Sequence, residues 1–199
     1  MTIDTKNMIN SILESISRID YIKPEDLPLY MDQVTTFMET KLKSSKRNEE
    51  DKILTKTMIN NYAKNGLLPS PEKKKYSKEH LLLLIFIYYF KNILSINDIQ
   101  TLLSPITEKY FQTDNDFDLT TIYMEVFGME HSQIEYLKKD LLKRYNIADQ
   151  TFQDAPSEDQ KFLQQFSFIC LLSFDVYCKK LLIEKIIDGM VPPEHTHGK

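Results

Sequence analysis

The residues best equipped for chemistry lie between positions 55 and 76. Thr55, Lys56, Thr57, Asn60, Asn61 and Lys64 fall in one short helical pattern; Lys73, Lys74, Lys75 and Tyr76 follow a glycine and two prolines. An asparagine amide can pair bidentately with adenine, and a lysine reaches guanine or phosphate. Lysines in a tight turn are point charges better suited to phosphate than to base edges. The expected chemistry is recognition of double-stranded DNA rather than the making or breaking of bonds. Four glycines in the whole chain leave no room for a glycine-rich phosphate loop. There is no H-E-x-x-H and no G-x-S-x-G. His80 and His131 each follow a glutamate, but adjacent residues point to different sides of a helix and make no metal clamp. Glu194, His195 and His197 sit in a proline-rich tail expected to be disordered. Cys170 and Cys178 match no zinc or redox spacing and are expected to be reduced core residues. No catalytic residue, metal or cofactor is expected, and the chain is read as not an enzyme.

These groups need a scaffold. Thr55 can cap a helix, because its hydroxyl accepts from a free N–H in the first turn. Met58, Ile59 and Tyr62 give that helix, about 55–65, one narrow apolar stripe. Gly66 sits where a helix C-terminus wants a left-handed residue. Pro69 and Pro71 force the segment after it to be extended. Two short strands around the lysines, within 68–76, would make a wing. Ser77 then caps a helix whose residues Leu81–Leu94 are so apolar that it must be buried. Ser95 and Asp98 begin another short helix ending near Leu103. Upstream, Tyr30, Val34, Phe37, Met38 and Leu42 mark the first helix of a helix-turn-helix. Residues 43–52 contain no apolar side chain. That is a long joint for a motif whose turn is usually about three or four residues; either the turn is enlarged or the first helix continues into it.

The run Ile59-Asn60-Asn61-Tyr62, then Gly66-Leu67-Leu68-Pro69, then Lys74-Lys75-Tyr76, resembles MerR-type winged helix-turn-helix regulators. Leu94-Ser95-Ile96, Asp98-Ile99 and Leu102-Leu103 continue the likeness. The wording TKTMINNYAKNGLLP…KKKYS is closer still to a bacterial family, DUF1836, catalogued only as a domain of unknown function, which also has the Asp32-Gln33-Val34-Thr35 segment. The MerR resemblance implies a recognition helix, a wing and a helix pair behind the wing. MerR proteins usually carry Arg-Tyr-Tyr where this chain has Asn60-Asn61-Tyr62, so a phosphate-contacting arginine is missing. They carry Tyr-Arg where this chain has Lys73-Lys74, which keeps positive charge.

On either side the chain is helical. Spacings of three and four predict an amphipathic helix from about Asp4 to Asp20, broken by Pro24 and Pro28. Ser104-Pro105 reads as a stop and restart. Gly128 is expected to end or bend a helix carrying Leu119, Ile122, Tyr123, Val126 and Phe127. Ser132 and Glu135 form a capping box for the next one. Asn146 to Pro156 reads as a linker. The last helix runs from Ser157 to about Asp188, and from Leu163 to Phe174 it has no charged residue. A helix apolar all round is buried all round. An intrachain bundle and a dimer seam both answer that; a seam through Phe166, Ile169, Cys170 and Phe174 is favoured, since such regulators usually read two half-sites.

The net charge of −4 conceals an asymmetry. Residues 52–80 hold seven lysines against Glu72 and Glu79, a balance of +5 that leaves −9 elsewhere. A basic segment on an acidic body suits a DNA reader that should not bind DNA indiscriminately. Residues 1–10 show no basic start followed by an apolar run, so no secretory signal is expected. The longest apolar run, Leu81–Phe90, is half of the roughly 20 residues a membrane span needs. The expectation is an all-α cytoplasmic protein: an N-terminal helix and linker (1–28), a MerR-like winged helix-turn-helix (29–103), a helical bundle, dimerisation or effector region (104–188) and a disordered tail (189–199). It is read as a homodimeric, sequence-specific transcriptional regulator, with a small-molecule effector as an addition. The alternative is a protein–protein adaptor that reuses the winged fold.

Overall fold

The computed structural model describes residues 4–17 and 27–190. The expected ends of the first helix (Asp20), the break at Pro24 and the 191–199 tail lie outside them. The described chain is helical apart from one two-stranded antiparallel sheet: α1 (Thr5–Ser17), β1 (Leu29–Tyr30), α2 (Met31–Leu42), α3 (Lys56–Lys64), β2 (Lys75–Tyr76), α4 (Lys78–Phe90), α5 (Ile96–Tyr110), α6 (Leu119–Asp149) and α7 (Ser157–Met190). It divides into two compact units, one of residues 27–127 with 184–190, the other of 4–17 with 128–183.

The first unit is built on α4. Every side chain from His80 to Tyr88 is buried, so this helix has no outer face. β2 and α5 pack against it. Phe86 is at the centre of an aromatic cluster, with ring centroids 5.7 Å from Tyr123, 5.5 Å from Phe127 and 6.2 Å from Phe90. Such pairs stabilise beyond their area alone, by about 1 kcal/mol each. α2 contributes Val34, Met38 and Leu42, all fully buried at i, i+4 and i+8.

The joint between α2 and α3 is enlarged. α2 ends at Leu42, a single 3-10 turn covers Lys43–Ser45, and α3 begins only at Lys56. The long connection is pinned at three places. Lys46 pairs with Glu39, lowering that carboxyl's pKa. The Ser45 hydroxyl meets the Tyr88 hydroxyl. Lys91 donates from Nζ to the Ile53 carbonyl at 2.8 Å, while Ile53 and Leu54 plug into the core.

Two expected breaks are absent. α5 runs straight through Pro105. Proline in a helix interior costs about 3 kcal/mol, which buried Ile99 and Leu103 on the same helix offset. α6 is one helix from Leu119 to Asp149, passing through Gly128 and Ser132. Glycine costs only about 1 kcal/mol in a helix, and here its φ is not left-handed, so it neither ends nor caps anything. Asp118 caps this helix, accepting at Oδ1 from the Thr121 N–H at 2.8 Å.

The second unit holds α1, the rest of α6 and α7 as far as Ile183. Ile9, Leu13, Ala148 and Phe168 form its small core, flanked by Ile134, Leu141, Leu142, Tyr145, Leu171 and Leu172. Arg144 joins α6 to α7, donating to Asp140 at 2.6 Å and to Asp175 at 3.3 Å. Here the expectation for the last helix fails in part. α7 is not buried on every side: Phe166, Ile169 and Phe174 are exposed, and so are Cys170 and Cys178, which are therefore not core residues.

Candidate nucleic-acid interface

α3 is short and amphipathic. Thr55 is its N-cap, its Oγ1 accepting from the Met58 N–H at 3.2 Å. Ile59 and Tyr62 are buried, and Met58 and Ala63 half-buried. Lys56, Thr57, Asn60, Asn61 and Lys64 are all exposed; at about 100° per residue they share an arc of roughly 140°. The helix ends in a Schellman motif. The Leu67 N–H donates to the Tyr62 carbonyl at 2.9 Å and the Gly66 N–H to that of Ala63 at 3.2 Å, with Gly66 at φ +71°. Both ends of α3 are therefore fixed, and one face is fixed against the core.

The lysine turn is held differently from the expected hairpin. β2 pairs with β1, Leu29 opposite Tyr76 and Tyr30 opposite Lys75, not with residues 67–71. The reason is local. The Leu67 and Leu68 N–H groups are both spent on the Tyr62 carbonyl, and Pro69 and Pro71 have none to give. What remains of a wing is the turn itself, closed by the Lys75 N–H on the Glu72 carbonyl at 2.8 Å. Lys73 and Lys74 at its centre have φ +47° and +67°, the pattern of a type I′ turn, which ordinarily takes Asn-Gly. Lys73, Lys74 and Lys75 are exposed, and the Lys75 ammonium lies 5.3 Å from the Tyr30 ring centroid.

Three candidate residues are used in other ways. Tyr76 is buried, which raises its hydroxyl pKa, and its ring stands edge-on to His80 at 5.4 Å; it belongs to the core rather than to a DNA surface. The Thr55 hydroxyl is occupied by capping. Lys56 forms an exposed ion pair with Asp32 of α2, a contact of at most about 1 kcal/mol that a phosphate could displace. Sequence reasoning placed Tyr30 in a helical pattern and Asp32 in the family segment but gave neither a part in the site. No chemical pattern marks either, because each acts through a neighbour distant in sequence.

Behind the turn sits His80. Its Nδ1 accepts from the Ser77 N–H at 3.0 Å, and its ring packs edge-on to Phe111 at 4.8 Å. Burial lowers its pKa, against smaller upward pulls from the carbonyls of Ser70 and Pro69. The folded protein therefore resists protonating it. This contribution to stability is fully present above about pH 6.5, the unfolded value, and is lost as pH falls through the lower folded value. Wild type should melt at a lower temperature at pH 5.5 than at pH 7.5. The fall should be smaller for His80→Gln, whose amide can still accept from Ser77. Comparison with that variant removes the opposite trend from Glu79, whose burial raises its pKa. Equal falls in both proteins would show that His80 does not titrate with unfolding.

Residues 22–126, from just before β1 into α6, match the model of a domain of unknown function, DUF1836. The chain belongs to the DUF1836 family. No curated protein and no solved structure matches the chain. The family segment takes in α2, α3, the lysine turn, α4 and α5, so every candidate DNA contact of this DUF1836 protein falls inside it. The dimerisation candidates on α7 fall outside. Among the described residues there is no group of three or more histidines, cysteines or carboxylates that could hold a metal, and no helix long and apolar enough to cross a membrane.

Proposed function

We propose that this protein is a sequence-specific, DNA-binding transcriptional regulator, with α3 as the recognition helix in the major groove and the 72–75 turn on the phosphate backbone. The observation that carries the reading is the outer face of α3. Five polar or cationic side chains stand in solvent on a helix anchored at both ends, in the same compact unit as the three exposed lysines. The reading is that of a cytoplasmic homodimer with a MerR-like winged helix-turn-helix and without enzymatic activity. A small-molecule effector is an addition to it. Its place would be the cleft of about 780 Å³ in the second unit, lined by Thr5, Lys6, Tyr145, Gln160, Gln164 and Phe168 among others.

A protein-binding adaptor is the second reading. The enlarged α2–α3 connection favours it, because it exposes Glu49, Glu50 and Asp51 among Lys43, Arg47 and Lys52 just before α3, a mixed-charge surface that suits a protein partner better than a phosphate backbone. The two readings separate on Asn60 and Asn61. Selection from a random duplex pool should yield a preferred site. Replacing a base-reading asparagine by alanine should then cost roughly 1–3 kcal/mol on that site and little on random DNA. Recovery of no preferred duplex would transfer the assignment to the adaptor, whereas equal losses on both DNAs for both variants would withdraw base reading from Asn60 and Asn61.

A further inference from the structure

α7 buries one side against α6 and leaves the other bare. Phe162, Phe166, Ile169 and Val176 are 66%, 54%, 58% and 61% exposed, and Tyr177 beside them 60%. With Ser173, the first four follow one another at intervals of 4, 3, 4 and 3. This is the a/d alternation of a two-helix coiled coil. The side chains turned inward, Phe168, Leu171 and Leu172, lie off this stripe. Aromatic side chains offer about 150–250 Å² each, so the stripe and Tyr177 together present on the order of 500 Å² of apolar surface. A standard interface covers about 800 Å² per partner, and Cys170, Phe174 and the lysine stems beside the stripe supply more.

We infer that this face is covered by α7 of a second copy, running antiparallel, with the two-fold axis near Cys170 and Leu171. This rests on the dimeric reading above and adds orientation and register to it. The charges at the ends of the stripe decide the direction. Continued by the same spacing, its a positions are Asp159, Phe166, Ser173 and Lys180. Parallel helices in register would set Asp159 against Asp159 and Lys180 against Lys180 inside the seam, and like charges there are destabilising. Antiparallel helices pair a with d instead. Ile169 then meets the second copy's small Ser173, and Phe166 meets its Val176. Phe162 lies under the stem and ammonium of its Lys180, a favourable cation–π arrangement.

Cysteine cross-linking of the full chain tests this. Cys170 lies near the axis in either orientation, so both native cysteines are first changed to serine. Phe162→Cys and Lys180→Cys are then made singly in that background and also refolded as a mixture before mild oxidation. The expected result is a light-scattering mass of about 47 kDa, twice the 23.5 kDa chain, with a disulfide-linked dimer at least tenfold more abundant in the mixture than in either single variant. Linking of the Phe162→Cys protein to itself would mean parallel helices. That result would overturn the inference while leaving the dimer intact. A dimer that links in no sample is paired elsewhere, with the same consequence. A monomer mass for the unmodified protein would overturn the inference and the dimeric reading together.

Discussion

With Lys73, Lys74 and Lys75 all changed to alanine, the protein should bind every duplex more weakly at 0.1 M salt, by about 500-fold for each protomer on the DNA. Each lysine on a phosphate releases condensed counterions, so affinity falls with salt with a slope of about 0.9 per contact. Three contacts flatten the slope by up to about 3 per protomer, and one decade below 1 M salt that is roughly the stated factor. The lysines carry no base information, so preference for the cognate duplex over a scrambled one should survive. The measurement is a salt titration of wild type and triple variant on both duplexes. Parallel slopes would remove the turn from the DNA surface and favour the adaptor.

Leu84→Ala should be the most damaging single truncation of an aliphatic side chain in the first unit. Leu84 is fully buried at the centre of a helix enclosed from His80 to Tyr88. Removing three carbons there forfeits burial and leaves a cavity, at a cost of about 3–5 kcal/mol. That is a large part of the roughly 5–15 kcal/mol that holds a domain folded, and the melting temperature should fall by about 10 °C or more. Ile93, on the exposed turn after the same helix, is the control: its change to alanine should stay within about 0.5 kcal/mol. Similar melts for the two variants, followed by circular dichroism, would mean that α4 is not the organising helix.

The parts of this fold legible in the sequence are those fixed by neighbours within a few residues. Thr55, Gly66 and the Ser95–Asp98 box each mark a helix end through hydrogen bonds spanning three to five positions, and each is found as read: Asp98, for example, accepts from the Ser95 N–H at 3.1 Å. The polar face of α3 was visible for the same reason. Its stripe of Met58, Ile59 and Tyr62 leaves only one way to turn.

What the sequence hides is decided over longer distances. Pro105 and Gly128 signal breaks worth about 1–3 kcal/mol, which packing elsewhere along the same helices outweighs. The partner of Lys75-Tyr76 is Leu29-Tyr30, a pairing no periodicity announces. Tyr76 closes a basic run and looked like part of the surface, but in a strand its side chain faces opposite to that of Lys75, and it is buried. For α7, the absence of charge from Leu163 to Phe174 could not say which side meets its own chain. Composition reports how much apolar surface there is, not how many molecules share it.

The two left-handed lysines have a consequence for how this segment can vary. A non-glycine residue held there costs about 1–2 kcal/mol, and Asn-Gly would relieve most of it at both positions. Mutational drift constrained by folding alone would move 73 and 74 toward that pair and discharge the tip. Drift constrained by an anionic partner would hold the lysines and accept a looser fold. The turn is thus a place where robustness and recognition draw on the same two residues and cannot both be maximal.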